Sequence, residues 1–232
     1  YGDNWSNYFD GDYLSVPNDN DFSFGNGDFT WEAWIRTKAT IQFSSIVGSY
    51  DNSNANAWGL HTTSGGKFLA FLTATTIFTG TATVNDGLWH HVACTRSGST
   101  VRLFVDGVLD TTGSSSASVQ GNNEVRVGSL NSSQSRYFVG NISNVRIVKG
   151  TALYTSSFTP ETTPLTDITN TSLLISNSNG FEDKSSSNHP VTVGGRPKVT
   201  PFSPFKNDDA RTLATDGGSA NFGDNTYLTI AD

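Results

Sequence analysis

The sequence predicts an all-β fold, a two-sheet antiparallel β-sandwich or jelly roll, and three observations point there together. Apolar residues recur at every second position in several short runs, the period of a strand with one buried face. Glycine-containing turn signals separate those runs. No 3.6-residue apolar pattern persists over even about twelve residues, so amphipathic helices are not expected.

The clearest strand is Phe29-Thr30-Trp31-Glu32-Ala33-Trp34-Ile35-Arg36, where positions 29, 31, 33 and 35 are apolar, and it is expected to be half-buried. Phe68-Leu69-Ala70-Phe71-Leu72 is apolar on both faces and reads as a central strand. Val101, Leu103 and Val105 share one face of the next run, and Val125 and Val127 repeat the alternation. Between these runs lie Asn26-Gly27, Ser64-Gly65-Gly66, Asn85-Asp86-Gly87, Ser97-Gly98-Ser99 and Asp106-Gly107, which are expected to close hairpins. The Ser/Thr/Pro-rich stretch 155–164 and the stretch 197–205, with prolines at 197, 201 and 204, read as irregular connections. Leu173-Leu174-Ile175 and Val191-Thr192-Val193 lie between them as further strands.

Local preference agrees with the pattern: 15 Phe, 7 Tyr and 5 Trp stand beside many strand-forming and turn-forming residues. At 232 residues the chain can bury a real core without staples. The net charge of −7 and the singly scattered basic residues argue against a nucleic-acid partner, which calls for a Lys/Arg patch. No apolar run approaches the ~20 residues of a spanning helix, so membrane insertion is not expected. The single cysteine, Cys94, permits no intrachain disulfide and lies in an apolar-alternating run, where a small buried hydrophobe belongs. With Tyr1 first and no methionine, a segment of a longer polypeptide or a processed chain is expected.

The stretch from Ser6 to Pro17 is echoed, with one insertion, from Ser219 to Ile230, where Ser, Phe, Tyr and Leu match at nearly constant spacing. That echo suggests one domain followed by the opening of a second copy.

Five runs in order, Phe9-Asp10-Gly11-Asp12-Tyr13-Leu14, Phe29 to Ile35, Leu88-Trp89-His90-His91-Val92-Ala93, Val101 to Gly107 and Gly140 to Ile147, resemble the laminin-G/pentraxin branch of the concanavalin A-like lectin/glucanase superfamily. The resemblance covers about residues 6–155 and implies the concanavalin A-like jelly roll. The stretch Ile142 to Tyr154, followed by Phe158-Thr159-Pro160, is similar to a version of the domain found in structural proteins of marine bacteriophages, cyanophages among them.

Domains of this family often open with a strand, an Asp-x-Ser-x-x-Asn-like turn and a second strand. Here that order falls at Leu173-Leu174-Ile175, Asp183 to His189 and Val191-Thr192-Val193. The resemblance thus implies a sandwich over residues 1–170 that lacks its usual opening strands. Residues 171–232 then close that sandwich or open the next repeat. An unfilled sheet edge exposes unpaired backbone groups, so residues 171–195 of the same chain are expected to fill it, the alternative being a strand from a neighbouring copy.

Glycosidases on this fold present paired carboxylates on one strand, and no such run exists here. Glu32 stands alone in its strand and Glu124, Glu161 and Glu182 are isolated, so no catalytic residue is assigned and no enzyme is expected. His90 and His91 point to opposite faces of a strand, one packed beneath the sandwich and the other toward solvent. His61 and His189 have no Cys or His at zinc spacing.

The resemblance implies calcium as the one candidate cofactor, held by oxygens of Asp51 and Asn52 or near Asp10 and Asp12, with solvated turns as the alternative. Asn131-Ser132-Ser133-Gln134 stands where pentraxins carry an acidic cluster, which argues against a two-ion site. For glycan binding, Tyr50, Trp58 and Tyr137 are the candidate stacking aromatics, with Asp51 and Asn52 as hydroxyl partners and a core position for Trp58 as the alternative.

The function expected is a non-catalytic structural or adhesion module of a bacteriophage virion: a fibre, appendage or capsid-surface protein. Its partners would be other virion or surface protein subunits, in an oligomer or tandem repeat, and host polysaccharide. The alternative is a carbohydrate-binding, lectin-like module of a secreted or cell-surface bacterial protein. The corresponding location is the virion surface or the extracellular space.

Overall fold

The alternating runs become strands, and their apolar faces meet between two sheets. A computed structural model describes residues 4–50, 58–121, 123–131 and 134–205. In chain order the strands are β1 (Ser6–Asp10), β2 (Tyr13–Val16), β3 (Phe29–Arg36), β4 (Ser44–Ser49), β5 (Trp58–Thr62), β6 (Lys67–Thr73), β7 (Thr76–Thr83), β8 (Trp89–Ser97) and β9 (Thr100–Val105). They continue as β10 (Val108–Ser114), β11 (Val125–Val127), β12 (Ser129–Asn131), β13 (Gln134–Tyr137), β14 (Val139–Lys149), β15 (Thr171–Ile175), β16 (Thr192–Gly194) and β17 (Lys198–Thr200). A single 3-10 turn at Asn20–Phe22 is the helical element among the described residues.

The first sheet runs β10-β9-β8-β3-β14-β1-β17, with β15 also on β14, and the second runs β16-β2-β11-β4-β5-β6-β7. Every pairing is antiparallel, which makes the expected two-sheet sandwich. The core joins Phe29, Trp31, Ala33 and Ile35 of β3 with Val101, Leu103 and Val105 of β9, and with Phe68, Ala70 and Leu72 of β6. Cys94 is fully buried among them, and burial pushes its thiol up, away from reactivity.

Two local expectations are corrected by long-range packing. β3 is not half-buried: Thr30 and Glu32, on its outward face, have no exposure. The irregular segment after β14 covers them, with Thr30 Oγ1 donating to Thr151 O and Leu165 N donating to Asn144 Oδ1. The 85–87 turn is not a hairpin, because it carries the chain from β7 in the second sheet to β8 in the first. Asn26-Gly27 closes no hairpin either, since β2 and β3 lie in different sheets, whereas Ser64-Gly65-Gly66, Ser97-Gly98-Ser99 and Asp106-Gly107 join paired strands, the last with positive φ at both residues (51° and 76°).

The sheet edge is filled from within the chain. β14 is long enough to hold β1 along 139–142 and β15 along 145–148 on the same side. Leu173 and Ile175 of β15 are buried in the core. β16 adds to the second sheet beside β2, and β17 to the first beside β1. The echo at 219–230 lies outside the described residues.

Candidate ligand-binding groove

Direct antiparallel partners place their side chains on one face. One such row crosses five strands of the first sheet: Lys198, Tyr8, Asn141, Arg36 and Trp89. It faces away from the core, since the neighbouring residues Phe9, Ile142 and Ile35 are the buried ones. A groove of about 430 Å³ opens beside this row, lined by Tyr8, Arg36, Thr37, Lys38, Gly140 and Asn141 among others. That volume falls within the roughly 300–1,000 Å³ usual for small-ligand sites.

The polar groups of the groove are partly committed. Arg36 donates through Nε to Gly87 O and lies over the Phe202 ring at 4.5 Å. Its Nη groups have no acceptor among the described residues and can serve a ligand. Asn141 donates its amide nitrogen to Ser6 Oγ (3.1 Å) and Thr200 Oγ1 (3.2 Å), which leaves Oδ1 as an acceptor. Phe202 packs on Trp89 at 5.6 Å and backs Arg36 from outside the groove, whose own lining includes the ring of Tyr8 and the two cations Arg36 and Lys38.

Next to the groove on the same face, Glu32 anchors a buried polar network. Oε1 accepts from Arg146 Nε (2.8 Å) and Nη2 (2.7 Å), and Oε2 from Tyr154 Oη (2.9 Å) and His91 Nε2 (3.0 Å). Burial pushes the Glu32 carboxyl up, yet the hydrogen bond and charge of His91 and the charge of Arg146 together hold it below the usual carboxylate value. Burial and Glu32 push the Tyr154 phenol up. With four donors on two oxygens and no exposure, Glu32 ties β3, β8 and β14 to the covering segment.

The histidine pair does divide between faces. His91 is buried under Tyr154 and Phe158 on the outer side of the first sheet, not between the sheets. His90 is largely covered, its Nδ1 on Asp106 Oδ2 (2.8 Å) and its Nε2 on Asp86 Oδ1 (3.1 Å). The Asp106 hydrogen bond outweighs burial and raises its pKa.

The glycan candidates named from the sequence are not gathered in one exposed site. Trp58 has no exposure and meets Trp31 at 4.9 Å and Phe24 at 5.2 Å, so it is a core residue, as β5 alternation turns it inward. Tyr50 is 5% exposed and packs with Leu130, leaving no open face for a sugar. Tyr137 is half-buried at the end of β13. Asp51 and Asn52 lie outside the described residues. Asp12 Oδ1 accepts from Arg196 N at 2.7 Å, which commits that oxygen to the C-terminal segment, while Asp10 is exposed. The one group of three carboxylate or imidazole ligand atoms among the described residues is Asp19, Asp21 and His189.

The groove escaped sequence reading because Tyr8, Asn141 and Arg36 come from distant strands and meet only through register. The one local signal was the outward position beside a core residue in three separate runs, Tyr8 before Phe9, Asn141 before Ile142 and Arg36 after Ile35.

A lectin-type β-sandwich with a polar groove on one sheet face is the class that this geometry defines. A laminin G model described as "Concanavalin A-like lectin/glucanases superfamily" matches residues 9–155, and the chain belongs to that superfamily. Among solved structures, a candidate carbohydrate-binding protein from Bacteroides ovatus matches with a TM-score of 0.66 and 16% identity over 86% of this chain. The match spans 60% of that protein's length. The heptameric SAP-like pentraxin of Limulus polyphemus matches with a TM-score of 0.60 and 12% identity, covering 87% of this chain and 96% of the pentraxin. At these identities the likeness is one of fold. A search of curated proteins finds no match.

Proposed function

We propose that the protein is a non-catalytic carbohydrate-binding module that holds its ligand in the groove between Tyr8, Arg36, Lys38 and Asn141. The observation that carries this is the groove itself, where Arg36 Nη donors with no acceptor among the described residues and the Asn141 acceptor sit beside the Tyr8 ring. Sugar recognition calls for that combination of hydroxyl partners and apolar faces. The Bacteroides ovatus protein, described as a candidate for carbohydrate binding, supports the reading through its shared fold. The non-catalytic part rests on Glu32, whose oxygens are occupied by structural donors, and on the isolation of the other glutamates.

A glycan array probed with the full chain, with and without calcium, tests this. Binding that is lost in Tyr8→Ala and Lys38→Ala supports the groove. Wild-type binding retained by both variants refutes the site, and a flat wild-type response refutes the function. A second reading, a structural module on a phage virion, is favoured by the resemblance of the 142–154 stretch to marine phage proteins. It expects neighbouring genes for virion components, and an unrelated gene neighbourhood would remove it.

A further inference from the structure

The Asn20–Phe22 turn and the loop before β16 come from opposite ends of the sequence and meet at one corner of the sandwich. There Asp19, Asp21 and His189 each present a ligand atom, all within 4.8 Å of one another. Asp19 caps the 3-10 turn, its Oδ1 accepting from Asp21 N at 2.9 Å, and its Oδ2 has no donor among the described residues. Asp21 Oδ2 accepts from Ser187 Oγ at 2.8 Å.

His189 supplies a separate observation. Its Nε2 is buried and without a hydrogen-bond partner, although it lies 3.3 Å from Asp21 Oδ2. The two atoms are close but misaligned. Ligands of one ion behave this way: at metal distances of about 2.0–2.2 Å, neighbouring ligand atoms sit roughly 3–3.6 Å apart and aim at the ion instead of at each other. His90 makes the contrast, since it too has two aspartates but bonds each through a different nitrogen, at 2.8 and 3.1 Å.

The frame around His189 is already built. Asp183 accepts from Leu174 N, Ser185 N, Ser185 Oγ and His189 N, which holds the loop against β15. The His189 ring packs on Phe22 at 5.0 Å, and its side chain is 11% exposed. Supporting contacts of this kind orient an imidazole for coordination.

We propose that Asp19, Asp21 and His189 form a binding site for a divalent transition-metal cation of the zinc class, which clasps the loop before β16 to the first turn of the chain. Imidazole with two carboxylates suits zinc and its neighbours, whereas calcium takes six to eight oxygen ligands. Three protein ligands leave a fourth position for water. Lys149 Nζ, donating to Asn20 O at 2.7 Å, places a positive charge nearby and limits the affinity. The site is independent of the groove, so either can stand without the other.

The test uses the full chain stripped with EDTA and titrated with zinc chloride or calcium chloride, read by calorimetry and thermal unfolding. Zinc is expected to bind one-to-one at this site and to raise Tm by about 5 °C or more at a hundredfold excess over Kd, with no comparable shift from calcium. His189→Gln and Asp19→Asn should each weaken zinc binding at least about tenfold, and His90→Gln should leave it unchanged. Asp19→Asn keeps a good capping side chain, so it reports on the metal even if His189→Gln folds poorly. No zinc-dependent shift in the wild type, or wild-type zinc affinity in Asp19→Asn, overturns the proposal.

Discussion

His61 offers a direct measure of what burying an unpaired imidazole does to this fold. It sits on β5 with no exposure, and neither ring nitrogen has a hydrogen-bond partner. Burial, then the charge of Arg136, drives its pKa from 6.5 down to about 3, with the Phe43 backbone as a smaller opposing influence. In the unfolded chain the imidazole takes up a proton below about pH 6.5. The folded chain refuses it until about pH 3. The unfolded state therefore binds more protons across that window, and stability falls as the pH falls, by about 1.4 kcal/mol per unit.

Between pH 6.5 and 5, where most carboxylates are still ionised, the loss from His61 alone is about 2 kcal/mol. His90 has the opposite sign. Its raised pKa contributes stability that is complete below its unfolded value and lost only as the pH rises through the folded one, so it does not mask the slope. Urea unfolding followed by tryptophan fluorescence at half-unit steps measures it. His61→Leu, of similar volume and with nothing to protonate, should flatten this limb and be no less stable at pH 5. A variant that keeps the wild-type slope would refute the reasoning.

Two further outcomes follow from the packing on the outer face of the first sheet. Glu32→Gln leaves Arg146 and His91 buried without their carboxylate and should lower stability by about 3–5 kcal/mol in urea unfolding at pH 7. In the wild type, the depressed Glu32 pKa means that its contribution is present above the normal carboxylate range and disappears as the pH drops through the folded value. Gly107→Ala meets both a positive φ and a collision with Phe158 O, so it should cost about 1–3 kcal/mol. Hydrogen exchange at Phe158 N, which donates to Gly107 O at 2.8 Å, should speed up in that variant while β3 amides stay protected.

Much of the sandwich can be read from local order in the chain. The period-2 runs at 29–35 and 101–105 name their own core residues, and Asp106-Gly107 names its own turn, because alternation and backbone preference act over a few residues. The edge argument also succeeds on local grounds: backbone groups left open need a partner, and 173–175 and 192–194 supply it. What β3 does with its outward face could not be read this way. Thr30, Glu32 and Trp34 alternate as exposed residues should, and only the path of the segment after β14 turns Glu32 into a buried anchor. Trp58 flanks a polar loop in sequence and becomes core because its strand register sets it against Trp31.

The groove and the Asp19, Asp21 and His189 corner depend on the same kind of information, the pairing of segments far apart in the chain. Alternation and turn chemistry are written into neighbouring residues, which is why the all-β class, the strongly alternating strands and the tight hairpin turns are legible there, whereas β17 emerges from a stretch that reads as an irregular connection. Register across strands and the route of covering loops minimise the energy of the whole molecule, and only the tertiary structure decided which polar side chains meet.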